Sequence, residues 1–277
     1  MEILLLTEPK HPPRSGPPSA RYEAGRGNVL AEALLAAGHR PVMWWDHPEG
    51  PMVGGEPDLV LLRSGRSIQL DRADRLVAAG IPVINDPVAH RAAGDKLHQA
   101  RVFAARRIAH PATAGVDREV AERGGPVVVK PRWGSSGVGV RLVDPADLPG
   151  ERGSDVVVQE WIEGATEYRV LVVDGLDVDW AEKELAPGEF RANLARGATM
   201  RPASAPDGES ARAARGAVEA LGLDIGGVDL MVGPSGPVVL EVNAATTLHG
   251  SSDAGTEVIL RAVLGLCAAR AAGGARR

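Results

Sequence analysis

Val127-Val128-Val129-Lys130-Pro131-Arg132-Trp133-Gly134-Ser135-Ser136-Gly137-Val138-Gly139-Val140 is the stretch on which the reading of this chain turns. Three valines in a row make a short buried strand, and a lysine ends it. A loop of the form G-x-x-G-x-G follows. Glycines let backbone N–H groups approach an anion closely and form a concave cradle for phosphate oxygens. Lys130 adds a positive point charge beside them. No Gly-Lys-Ser/Thr closes the loop and the lysine lies upstream of it, so this is not a Walker A loop. Taken alone, the stretch fits either a phosphate cradle or a glycine-rich hairpin beside a surface lysine. Its surroundings have to decide.

Downstream, Gly227-Val228-Asp229-Leu230-Met231 and Leu240-Glu241-Val242-Asn243 flank the turn Gly233-Pro234-Ser235-Gly236. The pattern predicts two antiparallel strands, Val228–Val232 and Val238–Val242, with Asp229 and Glu241 on neighbouring strands. Alternate residues of a strand share a face, so Glu241 and Asn243 point the same way. Two carboxylates and an amide oxygen make a hard donor set of the kind magnesium takes together with phosphates. The alternative is a pair of solvated surface acids, which the strongly apolar flanks argue against. Two weaker signals lie between. In Gly188-Glu189-Phe190-Arg191-Ala192-Asn193-Leu194, Arg191 can grip a phosphate or carboxylate with two N–H groups and Asn193 can add an amide contact. Otherwise the segment is an ordinary polar loop. Gln159-Glu160-Trp161-Ile162 is a strand end able to meet a base edge, with acids such as Glu167 near enough to meet a sugar hydroxyl.

Upstream, Glu2–Leu6 reads as a buried strand, followed by a Pro- and Gly-rich loop over 9–27. A helix is expected from an Asn28 cap to a Gly38 stop, with Leu30, Ala33, Leu34 and Ala37 on one face. Strands at Pro41–Trp45, Leu59–Leu62 and Ile81–Ile84, with a helix over Asp71–Ala79, complete an alternating pattern that predicts a parallel, Rossmann-like sheet. Helix is expected again over Ala89–Ile108, broken at Gly94. Strands follow at Val140–Val143, Val156–Gln159 and Tyr168–Val173, helices at Glu209–Leu221 and Thr256–Ala272, and then a frayed tail, Gly273–Arg277. No internal repeat is visible.

The 277 residues suffice for a sizeable core and two or three sub-domains. Hydrophobic residues make up 44% and charged residues 24%, the balance of an ordinary globular chain. A net charge of −5 argues against a nucleic-acid partner. A single cysteine, Cys267, excludes an internal disulfide framework and a cysteine zinc site, and fits a reducing, cytoplasmic setting. The apolar run after Met1 is too short for a signal or a membrane span and carries an acid, Glu2, where a signal carries basic residues.

Taken in order, these motifs resemble the ATP-grasp superfamily, and within it the RimK-like amino-acid ligases, from about Leu59 to Leu264. Gly80-Ile81-Pro82-Val83-Ile84-Asn85 and Gly94-Asp95-Lys96 resemble the opening of that family's central domain. The resemblance implies an ATP-grasp α/β fold with α+β sub-domains. It implies a pre-ATP-grasp domain at 1–88, a central sub-domain at 89–156 and a C-terminal one at 157–277. It makes Lys96 and Lys130 phosphate lysines, and Gly134, Ser135, Ser136, Gly137, Val138 and Gly139 the loop over ATP. Gln159, Glu160, Trp161 and Ile162 become the adenine hinge, Glu167 the acid near ribose, and Arg169 the ATP-site arginine that follows it. Asp229, Glu241 and Asn243 become ligands of two magnesium ions, with manganese as an alternative. Arg191 and Asn193 would join Lys130 in catalysis, against phosphate and substrate.

The implied activity joins a carboxylate to an amine through an acyl phosphate. Small amino-acid-like substrates are expected, without nucleic acid or membrane, in a homodimer or homotetramer. Ala244-Ala245-Thr246-Thr247-Leu248-His249-Gly250 and Lys183-Glu184 depart from the family pattern, the latter where an arginine pair is common. These departures leave the substrate open and make Arg63, Arg191 and His249 candidates to touch it. Arg63 follows a strand end, where open sheets bind ligands. Arg14, Arg21, Arg26 and Arg66 lie in other N-terminal loops. Attachment to a protein tail, cyclisation of one substrate, transfer that stops at a phosphoester, and a non-catalytic ATP-binding module are the competing readings.

Overall fold

The structure, a computed structural model, describes residues 1–7, 28–44, 56–115, 120, 125–134, 137–150, 155–192 and 196–273. Three sheets organise them. The first joins β1 (Glu2–Leu6), β2 (Arg40–Trp44), β3 (Leu59–Leu62) and β4 (Val83–Ile84), all parallel, in the order β2-β1-β3-β4. Parallel strands covered on both faces read as unbroken apolar runs, which is what β1 and β3 are. Leu4, Leu6, Val60 and Leu62 pack under α2 (Ser67–Ala78) through Leu70, Ala73 and Leu76. Ile3, Leu5, Leu59 and Leu61 pack on the other face with Leu30 and Leu34 of α1 (Asn28–Ala36).

Three expected bounds are corrected. α2 starts at Ser67, before Asp71. β4 holds only Val83 and Ile84 of the strand expected from Ile81. Ala37 is exposed beyond the end of α1, because Gly38, at φ 78°, turns the chain away. The loop over 9–27, with Arg14, Arg21 and Arg26, lies outside the described residues, as do positions 274–277 of the tail.

The expected break at Gly94 separates α3 (Pro87–Ala93) from α4 (Lys96–Arg106). Each helix start has an aspartate cap: Asp86 accepts from the N–H groups of Val88 and Ala89, and Asp95 from those of Leu97 and His98. The second sheet is antiparallel, in the order β5-β8-β6-β7: β5 (Thr113–Ala114), β6 (Val127–Pro131), β7 (Arg141–Val143) and β8 (Val156–Glu160). Val127, Val129 and Val158 form its core with Val120 and Leu148.

The third sheet, in the order β11-β10-β9-β12-β13, is also antiparallel. It comprises β9 (Thr166–Val173), β10 (Leu176–Glu184), β11 (Thr199–Ala203), β12 (Ile225–Gly233) and β13 (Gly236–Asn243). β10 and β11 carry too few apolar residues to announce themselves as strands. Val170, Trp180, Val228 and Val242 line up across four strands on one face, beneath Ala214, Ala217 and Val218 of α5 (Gly208–Ala220). On the opposite face Leu171, Val173 and Ile225 pack with Ile259 and Val263 of α6 (Asp253–Ala271). Further along β9 that same face turns charged, at Arg169 and Glu167, and there the cleft begins.

Candidate active site

The strand register builds the floor of the cleft. Ala181, Arg169, Asp229 and Glu241 stand opposite one another across β10, β9, β12 and β13, one residue per strand on one face. A bulge after Asp229 pairs Leu230 with Val239, so Leu240 and Glu241 both line the cleft. Bulges are a common means of re-aiming side chains beside active sites. The second sheet supplies the other wall, and the space between them measures about 470 Å³.

Asp229 is the most enclosed acid of the cleft. Its Oδ1 lies 2.5 Å from Lys183 Nζ and 3.2 Å from Arg169 Nε. Burial alone raises a carboxyl pKa; the charges of Arg169 and Lys183 outweigh it and hold Asp229 below the ordinary range. Lys183 also reaches Glu167 at 2.5 Å. Glu167 is pushed up by burial and by the charge of Asp229, against Lys183. For Lys183 the two acids outweigh desolvation and raise it. Asn243 Nδ2 donates to Asp229 Oδ2 and to Glu241 Oε1, both at 3.3 Å. The amide therefore stands between the two carboxylates, and a half-turn about its terminal bond presents Oδ1 in the same place.

Among the described residues no group of three or more His, Cys, Asp or Glu is gathered for a metal. Asp229, Glu241 and the Asn243 oxygen fit a hard ion that takes its remaining ligands from phosphates and water, as magnesium does.

Opposite this floor, Lys130 points in from β6, and its Nζ donates to Gln159 Oε1 at 2.9 Å. Among the described residues no acid neutralises it by direct contact, and burial pushes its pKa down. Lys96 opens α4; its Nζ donates to the Gly134 carbonyl at 2.6 Å and lies 3.7 Å from Glu241 Oε2. Gly134, Gly137 and Val138 line the cleft, and Gly139 holds the loop's shape. At φ 72°, a Cβ on Gly139 would come 2.9 Å from Pro131 Cγ. Arg191 pairs with Glu189 through two N–H groups and donates Nη1 to the Val140 carbonyl at 3.1 Å. Phe190 meets Trp161 edge to face at 5.8 Å between centroids. The segment holding Phe190 and Arg191 thus touches both Trp161 and the end of the glycine loop at Val140.

The structure brings Lys96, Lys130, Gln159, Glu160, Trp161, Ile162, Glu167, Arg191, Asp229 and Glu241 to one cleft, with Arg169 and Asn243 bonded into its floor. Gln159 is drawn into holding Lys130, and Glu160 Oε2 accepts from the Ala112 N–H at 3.1 Å. Arg63 and His249 are not cleft residues: Arg63 Nη2 donates to the Thr246 carbonyl, and His249 Nδ1 lies 3.2 Å from Thr256 Oγ1. Ser135, Ser136 and Asn193 lie outside the described residues. Lys183 was missed as a site residue. Its only sequence signal is the departure at Lys183-Glu184, because its partners Glu167 and Asp229 are brought to it by strand pairing alone.

The family described as "RimK-like ATP-grasp domain" matches residues 93–263. Among curated proteins, a "Probable alpha-L-glutamate ligase" of Thioalkalivibrio sulfidiphilus is 34% identical over 202 residues, 66% of this chain and 66% of that protein. The chain thus spans about two thirds of that relative's length. A protein of the same description from Alcanivorax borkumensis is 31% identical over 251 residues, 84% of this chain and 82% of its own length. Among solved structures, the ATP-grasp ligase PsnB complexed with minimal precursor, Mg and ADP superposes with a TM-score of 0.68, covering 95% of this chain and 96% of PsnB at 18% identity. At that identity the likeness speaks for the fold. Among the described residues no helix is long and apolar enough to cross a membrane. With its cleft between two antiparallel sheets, its paired lysines and its match over 93–263, the chain belongs to the RimK-like ATP-grasp family.

Proposed function

We propose that this protein is an ATP-dependent carboxylate–amine ligase that forms an amide bond through an acyl phosphate and releases ADP and phosphate. The observation that carries the reading is the polar row Arg169–Asp229–Glu241 facing Lys96 and Lys130 across one cleft. Such an arrangement is suited to positioning a triphosphate and neutralising its transferring group, which is most of what phosphoryl transfer asks of a protein.

In this reading a substrate carboxylate oxygen attacks the γ-phosphorus. The bond from that phosphorus to the β,γ-bridging oxygen breaks, and ADP leaves. An amine then attacks the acyl carbon, the bond to the phosphate oxygen breaks, and the amine loses a proton. Lys130 and Lys96 hold phosphate oxygens. Arg191, now held by Glu189, lines the cleft and would exchange that partner for phosphate or substrate. Two magnesium ions on Asp229, Glu241 and Asn243 would neutralise the phosphate charge. The glycine loop, whose Gly134 and Val140 carbonyls accept from Lys96 and Arg191, would exclude water from the acyl phosphate. Amino-acid-like carboxylate and amine substrates are the expected pair, and a cytoplasmic enzyme is the setting that ATP use implies.

The test is ADP and phosphate release with Mg·ATP against arrayed amino acids, singly and in pairs, with product masses read in parallel. ADP formation that needs one pair, with a product lighter than the sum by one water, is the expected result. ADP release with a phosphoester product in its place would overturn the ligase reading.

A further inference from the structure

β13 is the edge strand of its sheet, and its open side faces α4. An edge strand leaves N–H and C=O groups unpaired, and here they find specific partners. The Val239 N–H donates to the Ala109 carbonyl at 2.8 Å. At Val242 the partner is a side chain. The Val242 N–H donates to Gln99 Oε1 at 2.8 Å, and Gln99 Nε2 donates to the Val242 carbonyl at 2.9 Å. Gln99 thus continues the sheet by one amide, as a neighbouring strand would. Its Nε2 also donates to the Ala93 carbonyl at 2.6 Å, which ties down the end of α3. The side chain is 4% exposed, so all three bonds form away from water, where their loss costs most.

The position of this clamp gives it meaning. Val242 is the residue between Glu241 and Asn243. Gln99 lies three residues after Lys96 on α4, and residues so spaced share a helix face. One helix face therefore carries both the ammonium that approaches Glu241 and the amide that fixes the backbone between Glu241 and Asn243. Building on the ligase reading above, we propose that Gln99 is a positioning residue. It sets the register of α4 against β13, so that the phosphate lysine and the two metal-side ligands are held as one unit. It touches neither metal nor nucleotide. Groups that orient ligands from behind are commonly worth about 10–100-fold in metal affinity.

Gln99→Met keeps length and approximate volume and removes all three bonds. The measurement is calorimetric ADP binding over a magnesium series, with a melting curve for each variant. Leu76→Ala, a deletion in the core under α2, serves as the control for lost stability. The expected result is a rise of about tenfold in the half-saturating magnesium concentration for Gln99→Met. Leu76→Ala melts earlier and keeps the wild-type magnesium dependence. Should Gln99→Met not fold, Gln99→Glu retains an oxygen for the Val242 N–H, loses the donors, and is judged by the same rise. Wild-type magnesium dependence in a folded Gln99 variant overturns the inference and leaves the ligase reading standing. Absence of magnesium-dependent ADP binding in the wild type overturns both.

Discussion

Lys130 enters the cleft from β6 and Lys183 from β10, and both are nearly enclosed, at 6% and 9% exposure. Their companions differ. Lys183 touches two carboxylates, Asp229 and Glu167, which outweigh desolvation and raise its pKa. Lys130 touches one amide oxygen, of Gln159, and burial lowers its pKa. Lys183 is a cation already neutralised, part of the framework that holds the acids in place. Lys130 is a cation held short of its counter-charge, the condition of a group that waits for an anionic ligand. One residue type, on facing walls, thus serves structure on one side and, in the proposed reading, ligand binding on the other.

The contrast breaks most decisively at the acids. Glu241→Ala should leave the protein folded, because the Glu241 side chain is 22% exposed. Turnover should fall by at least about 10²-fold, the usual cost of removing one preorganised electrostatic group. Coupled-assay rates together with a melting curve check it, and wild-type ADP release by this variant would sink the metal-side assignment. Next in size is the pair Lys183→Met and Lys130→Met. Removing Lys183 leaves buried Asp229 with Arg169 alone and takes the ion-pair partner of half-buried Glu167, and breaking a buried ion pair from one side costs about 3–5 kcal/mol. Removing Lys130 breaks one bond to a neutral amide and relieves a charge whose desolvation outweighs the pull of Glu241, Asp229 and Glu167, so its melting temperature should equal or exceed that of wild type. Its ATP affinity should drop roughly 10–100-fold, as loss of a charge-assisted hydrogen bond implies. Denaturant titration and nucleotide binding of both variants decide it. Equal destabilisation of the two would erase the distinction drawn here.

That distinction is only half legible in the sequence. Lys130 could be read because its signal is local: it ends a run of valines and precedes a glycine loop. Asp229 and Glu241 were legible as acids on neighbouring strands because a four-residue turn joins the two, whereas the bulge that sets them opposite one another leaves no mark in the sequence. Lys183 was not, because β10 reads Leu-Asp-Val-Asp-Trp-Ala-Glu-Lys-Glu. Charges crowd both of its faces. Glu182 and Glu184 pair with Arg201 of β11, while Lys183 turns into the cleft. A strand with two polar faces lacks the period-2 apolar alternation by which strands are recognised. The parallel sheet was visible for the opposite reason, since β1 and β3 are buried on both faces and read as solid runs of leucine, isoleucine and valine.

A buried base outside the cleft sharpens the comparison by a different route. His90 on α3 has its pKa lowered to about 4 by burial first, and then by Arg63 and Arg91. Above its ordinary value of 6.5, folded and unfolded chains both hold it neutral. Between 6.5 and about 4 the unfolded chain takes up a proton that the folded one refuses, so stability falls as pH drops. Glu167, raised in the fold, slopes the opposite way over part of this range. The difference between wild type and His90→Leu isolates the histidine. The variant should lose a slope amounting to a few kcal/mol across that window, at about 1.4 kcal/mol per pKa unit. Denaturant midpoints at pH 7, 5.5 and 4.5 measure it, and parallel curves for the two proteins would show that His90 does not titrate as described.

The smallest effect is expected where the charges are most numerous in view. Arg201 pairs with Glu182 at 2.5 Å and Glu184 at 3.0 Å, a geometry as close as that of Lys183 with its acids. Yet its side chain is 58% exposed, so water and salt screen both pairs and all three side chains lose freedom in making them. Arg201→Ala should therefore leave the melting temperature within error of wild type and insensitive to added salt. A large loss would mean that distance, not burial, separates structural ion pairs from incidental ones in this sheet. No loss, set beside the collapse expected for Lys183→Met, would show that two ion-pair clusters on one strand, alike in geometry, differ in worth because only one is closed off from water.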